Sequence, residues 1–140
     1  MNDSNIINFE DYIRSAKSVI ENNSSDLVDN NKYPQDNPYR GKCYISSEAV
    51  FFKFKNDDVS LKAMNMIHEG ESHWFLSSDQ HGVIDLTVMQ YEVTPDYSLA
   101  KGKGFLPTKA GISKRSLIFH KRVMAEYNRI KNMNVEDLKI

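Results

Sequence analysis

A chain of 140 residues that is 40% apolar and 11% aromatic, with a net charge of -1, is of a size to form one domain around an ordinary hydrophobic core. Its single cysteine excludes an internal disulfide framework and any multi-cysteine zinc site, and fits a reducing compartment. No charged leader precedes an apolar run and no stretch approaches the roughly 18 apolar residues of a membrane span, so the expectation is a soluble, cytoplasmic protein without a membrane partner.

Residues 1–8 are polar and are expected to fray. Phe9, Tyr12, Ile13, Ala16, Val19 and Ile20 fall at helical spacing and predict an amphipathic helix over 9–20. Polar residues 21–26 end it. From Leu27 to Tyr39 the chain is rich in Asn and Asp, with Pro34 and Pro38, and reads as an extended loop. A second helix is predicted over 42–54, where Ile45, Ala49 and Phe52, with Tyr44, Phe51 and Phe54, cover more than half of the circumference. A helix apolar on so much of its surface belongs in the centre of a domain. After the breaker Asn56-Asp57-Asp58, a short strand is predicted over 63–67, a turn over 68–71 and a strand over 72–77. A hairpin loop over 78–82 and a partner strand over 83–91 follow. A loop around Pro95 leads through Lys101-Gly102-Lys103-Gly104 and Phe105-Leu106-Pro107. A long helix then runs from the N-cap Ser113 to about Met133, on the spacing of Leu117, Phe119, Val123, Met124, Tyr127 and Ile130. No internal repeat is present.

The stretch 41–87 carries the chemistry. Cys43 opens the central helix, His73 comes early in one strand and Asp85 lies in the next. An ordinary thiol, with a pKa of about 8.5, is mostly protonated at neutral pH. Unpaired N–H groups and the dipole at a helix start favour the thiolate. A histidine within reach takes the proton, and a carboxylate behind it holds the imidazole tautomer. Strand parity tests whether the last two meet. With a five-residue loop from Ser77 to His81 and Leu76 opposite Gly82, His73 falls directly opposite Asp85, while Trp74, Leu76, Ile84 and Leu86 share the other, apolar face. Opposed Cβ atoms lie about 4.5–5.5 Å apart, near enough for an imidazole to meet a carboxylate.

Each residue also has a plainer reading. A lone cysteine is more often a small buried hydrophobe than a nucleophile, and His73 alone could be a satisfied strand histidine. Asp85 between Ile84 and Leu86 is poorly placed for a turn and is better explained by a partner. His68 and His81 are expected to face solvent on loops, and His120 to be exposed or to meet a partner. Glu48 reads as solvated or as a support behind the site, and Gln90 and Tyr91 as residues lining the cleft. His68, His73 and Asp85 are chemically suitable for zinc, but no helix sets two of them at ligand spacing, so no metal or cofactor is expected.

Gly41-Lys42-Cys43 at a helix start, His73-Trp74 in a strand and Gly82-Val83-Ile84-Asp85-Leu86-Thr87 in the next resemble the transglutaminase-like branch of the papain-like cysteine enzymes. That family carries Gly-x-Cys, His-x-Trp or a near variant, and Asp-Pro-Thr. Leu86 stands where the family often has proline, and the tryptophan follows the histidine directly. The likeness covers residues 40–91 and extends to small bacterial and phage proteins with the same core. It implies an α+β papain-like domain in which the nucleophile helix packs on a small antiparallel sheet. It also implies a Cys43-His73-Asp85 triad acting as protease, amidase, deamidase or acyl transferase on an amide, with a protein or peptide as substrate. By the same resemblance the intermediate is a thioester and the Cys43 N–H is one oxyanion donor. The second donor would lie upstream, in the loop holding Gln35, Asn37 and Tyr39. Tyr39, Gly41, Trp74 and Gln90 are the expected cleft residues. Arg40-Gly41-Lys42-Cys43 is also similar to the Arg-Gly-Gly-x-Cys of arylamine acetyltransferases, which are considerably longer. Asn-, Lys- and Ile-rich usage suits a phage or low-GC bacterial source, where such a protein could act in the host cytoplasm on a host or defence target.

Charge supplies the competing reading. Residues 1–100 hold eight Lys or Arg against sixteen Asp or Glu, and residues 101–140 hold ten against three. A basic C-terminal helix either lies on an acidic body or offers a surface to nucleic acid. Lys114, Arg115, Lys121 and Arg122, near a helix N-terminus at Ser113, could bind phosphates. Gly111-Ile112-Ser113-Lys114-Arg115 is similar to a helix-turn-helix turn, but Pro107 stands where that motif has alanine. Lys101-Gly102-Lys103-Gly104 is no P-loop. The alternative is thus a catalytically inactive papain-like fold that binds a protein or nucleic acid through this helix.

Overall fold

The computed structural model describes residues 7–105 and 111–138; residues 1–6 of the expected frayed start, together with Leu106 and Pro107, lie outside the described residues. Helix α1 spans Phe9–Asn22, capped by the Asn8 side chain, which accepts from the Asp11 N–H at 2.8 Å. Its apolar stripe of Tyr12, Ala16, Val19 and Ile20 is buried. Helix α2 spans Cys43–Phe54 and buries Ile45, Ala49, Val50 and Phe54. It packs on the sheet and on the long helix α3, Lys114–Leu138, which also lies along α1. Ser113 caps α3 as expected, its carbonyl accepting from the Leu117 N–H at 2.9 Å.

Strands β1 (Lys62–His68), β2 (Glu71–Ser78), β3 (Gly82–Ile84) and β4 (Lys101–Gly102) form one antiparallel sheet in the order β3-β2-β1-β4. The architecture is α+β. β1 and β2 are joined by Glu69 and Gly70, whose φ angles of 52° and 78° give the twist that a two-residue hairpin needs.

Three expectations need correction. The β2–β3 loop is Asp79–His81, three residues rather than five, and Leu76 pairs with Ile84, not Gly82. The strand expected over 83–91 stops at Ile84 and is followed by a 3-10 turn at Val88–Gln90. Asp85 is the cause: its carboxylate accepts from the Thr87 N–H at 3.2 Å, a local side-chain bond that turns the backbone off the ladder. β4 lies in what reads as loop, because two residues including a glycine carry no strand pattern and are held only by distant Met64 and Asn65.

Candidate active site

Cys43 is the first residue of α2, after the N-cap Lys42, which makes no side-chain cap. Gly41 delivers it with φ 79°, and a Cβ there would come within 2.6 Å of the Tyr33 ring. The glycine is thus demanded twice, by backbone conformation and by the aromatic ring laid against it. The Cys43 thiol is free and partly exposed, its Sγ 4.0 Å from the Ser72 carbonyl oxygen, next door to His73.

His73 is wholly buried in β2. Its Nε2 lies 2.7 Å from Asp85 Oδ2, and its ring packs on Phe75 and, edge to face, on Tyr91 at 5.0 Å. The Asp85 side chain is 3% exposed. Its Oδ2 also accepts from the Tyr97 hydroxyl at 2.8 Å, while Oδ1 takes the Thr87 N–H. Since a carboxylate only accepts, His73 donates from Nε2, and its buried Nδ1 has no hydrogen-bond partner. Burial by itself pulls the imidazole pKa down. The hydrogen bond to Asp85 and its negative charge, with Cys43 contributing from the other side, outweigh burial and lift it to about 9. The Cys43 sulfur lies at the carbonyl of the preceding residue Ser72, and Nδ1 itself has no hydrogen-bond partner. Tyr97 and Tyr91 both have their phenols pushed up, first by burial; Asp85 then adds to the effect at Tyr97, and Cys43 at Tyr91.

His73 and Asp85 share a face as expected, but not directly across a ladder. The register is offset by two residues, and Asp85 reaches back from beyond the end of β3. Trp74 lies on the opposite side, against Tyr44 of α2 at 5.1 Å.

A cleft of about 430 Å³ opens at Cys43, and Gly41, Trp74 and Gln90 line it. Tyr39 does not: its hydroxyl donates to Glu21, and burial followed by that carboxylate pushes its pKa up to about 12. Tyr33, Tyr44 and Arg115 line the cleft instead. Gln35 spends its amide on the Tyr33 and Arg40 carbonyls and Asn37 donates to Met89 O, so the loop offers neither as a ready second oxyanion donor.

Other polar residues depart from expectation. Glu48 is fully buried, not solvated, and accepts from the Ser113 N–H at 2.9 Å and the Tyr44 hydroxyl at 3.2 Å. It fastens the start of α3 to α2. His68 is not on a solvent-facing loop; it ends β1, with Nε2 2.9 Å from the Val93 carbonyl oxygen. His120 meets the Tyr12 hydroxyl at 2.8 Å inside the fold, and burial lowers its pKa. His81 is exposed and stacks on Phe9. Of the basic residues of α3, Arg122 is forked onto Asp26 at 2.7 and 2.8 Å, and Arg115 donates to Leu27 O. Lys114 and Lys121 are exposed. Lys42, in the sequence only the variable position between Gly41 and Cys43, is fully buried, with Nζ 3.3 Å from Ile20 O, and burial lowers its pKa to about 8 against the pull of Asp26. No local pattern marks it, since its neighbours come from α1.

Among the described residues no cluster of metal-ligating side chains forms and no helix is long and apolar enough to cross a membrane. No protein-family model, curated protein or solved structure matches the chain.

Proposed function

We propose that this protein is a cysteine hydrolase or acyl transferase on a papain-like core of the transglutaminase type, with a protein-linked amide as substrate. The observation that carries the reading is the buried His73, tied through Nε2 to Asp85 with Nδ1 left unpartnered, and the Cys43 sulfur at the adjacent Ser72 carbonyl. An imidazolium held by Asp85 stabilises a neighbouring thiolate. The Cys43 sulfur attacks the amide carbon, and the carbon–nitrogen bond breaks as the His73 Nδ1 proton passes to the leaving amine. Water or an acceptor amine then gives a proton to His73 and displaces sulfur from the thioester. The N–H groups at the start of α2 are the nearest donors for the oxyanion. A single free thiol suits a reducing compartment, so the proposed activity is cytoplasmic.

The inactive binding reading loses support at Arg122, which is committed to Asp26; Lys114, Arg115 and Lys121 stay exposed on α3. The test is the rate of Cys43 alkylation by iodoacetamide between about pH 5 and 10, where thiolate alone reacts. The expected result is a reactive fraction near pH 6–7 that disappears in His73→Ala. An identical profile in the two proteins, rising only near the about 8.5 of an isolated thiol, would overturn the proposal.

A further inference from the structure

Arg115 lines the Cys43 cleft together with Lys32. Of the five arginines in the chain, four meet a carboxylate: Arg14 with Asp11, Arg40 with Glu71, Arg122 with Asp26 and Arg129 with Glu126. Arg115 alone has no carboxylate partner among the described residues. Only its Nη1 is used, donating to Leu27 O at 3.0 Å, which steadies the guanidinium and leaves its other N–H groups unspent. The cleft's own acid, Glu71, is met by Arg40 at 3.4 Å. Lys32 lies over the Tyr33 ring at 5.4 Å and has no carboxylate partner among the described residues.

Arg115 is exposed, but the backbone that carries it is anchored. Buried Glu48 accepts from the Ser113 N–H and binds the hydroxyl of Tyr44, another cleft residue. The first turn of α3, which carries Arg115, is thereby locked to the helix that carries Cys43. A guanidinium held on such a frame loses little freedom when it takes up a planar anion.

Resting on the cysteine-acylation reading above, we propose that Arg115, with Lys32, selects amide substrates that carry a carboxylate near the scissile carbonyl, such as an acidic side chain. A planar carboxylate matches the guanidinium fork, and the one opposing charge in the cleft is already answered by Arg40.

The probes are iodoacetate and iodoacetamide, which alkylate the same sulfur and differ by one carboxylate. The ratio of their rates is expected to be about threefold or more higher in the wild-type protein than in Arg115→Gln at low salt, and this excess should collapse near about 0.5 M NaCl. Lys32→Gln, which leaves the Leu27 contact alone, should lower the ratio in the same direction by less. Succinate should protect wild-type Cys43 from iodoacetamide better than phosphate at equal ionic strength. An unchanged ratio in the two variants, or phosphate protecting as well as succinate, overturns the proposal. Should Arg115→Gln fail to fold by circular dichroism, Lys32→Gln and the protection experiment decide it. A rate ratio that depends on neither Arg115 nor Lys32, with the His73-dependent pH profile intact, removes this inference and leaves the hydrolase reading standing.

Discussion

Asp85→Asn separates what the carboxylate does for the fold from what it does for His73. The native carboxylate receives three donors, His73 Nε2 and the Tyr97 hydroxyl on one oxygen and the Thr87 N–H on the other. An asparagine has a single oxygen. Turned toward His73, it faces its NH2 against the buried Thr87 N–H; turned toward Thr87, it donates to Nε2 and forces the imidazole proton onto Nδ1, where the ring can no longer act as base toward Cys43. In neither case is an imidazolium supported. The folded His73 pKa lies near 9 against 6.5 unfolded, a difference worth roughly 3 kcal/mol. Because the folded value is the higher one, this stability is fully present below about pH 6.5 and is lost as pH rises through about 9. Cys43 supplies a share, so urea unfolding at pH 6 should show Asp85→Asn less stable by about 2–3 kcal/mol. Near pH 10.5, with His73 almost wholly neutral in both proteins, the difference should shrink to about 1 kcal/mol, the worth of a neutral hydrogen bond. Lys42 titrates in the same window with opposite sign but is common to both proteins, so the difference cancels it. An equal loss at both pH values would refute the argument that Asp85 works through the protonated ring.

Gly41→Ala combines a left-handed backbone, costing about 1–2 kcal/mol, with a Cβ placed 2.6 Å from the Tyr33 ring. A loss of about 2–4 kcal/mol is expected by urea titration, and Tyr33→Ala in the same chain should return the part due to contact. Lys42 has a folded pKa near 8 against 10.5, so the native state bears the cost of its buried charge below about pH 8 and is relieved as pH rises toward 10.5. Lys42→Met should therefore stabilise the protein by roughly 1–3 kcal/mol at pH 7 and by progressively less toward pH 10.5; destabilisation at pH 7 would mean the Ile20 contact matters more than the burial cost. Glu48→Ala leaves the Ser113 N–H without its acceptor and should cost about 2–4 kcal/mol in thermal or urea unfolding. Glu48→Gln, whose oxygen can still accept from Ser113, should keep most of that stability.

The helices were legible because each carries its own period. The stripe from Phe9 to Ile20, the broad apolar surface of Cys43 to Phe54 and the Ser113 cap are local signals, and the structure places α1, α2 and α3 within a few residues of them at all but one end. The exception is the C-terminal end of α3, which runs on to Leu138 past the last apolar repeat. The charged interior was not legible. Lys42, Glu48 and Tyr97 gain their roles from Ile20, Ser113 and Asp85. In the first two cases the partner belongs to another helix or its cap, and no spacing along the chain encodes that approach. Tyr39 stays outside the cleft for a related reason: being close to Cys43 in sequence does not aim a side chain into it, and Glu21 claims its hydroxyl.

The meeting of His73 with Asp85 followed from a weaker premise than direct opposition. Which face a strand residue occupies depends only on whether paired numbers sum to an even or an odd total. Opposition of Leu76 to Gly82 and the observed pairing of Leu76 with Ile84 both sum to an even number, so a two-residue shift of register leaves every side chain on its face. What the shift changes is distance along the strand, and the early end of β3 makes this up. Released from the ladder after Ile84, the chain bends back through the Thr87 bond and brings the carboxylate to 2.7 Å from Nε2. Had the loop held four residues in either register, the imidazole and carboxylate would stand on opposite sides of the sheet. Lengthening Asp79–His81 by one residue should therefore separate His73 from Asp85 and remove the His73-dependent alkylation of Cys43, whereas lengthening it by two should preserve it. Equal loss from both insertions would show that the contact depends on the particular loop and not on parity.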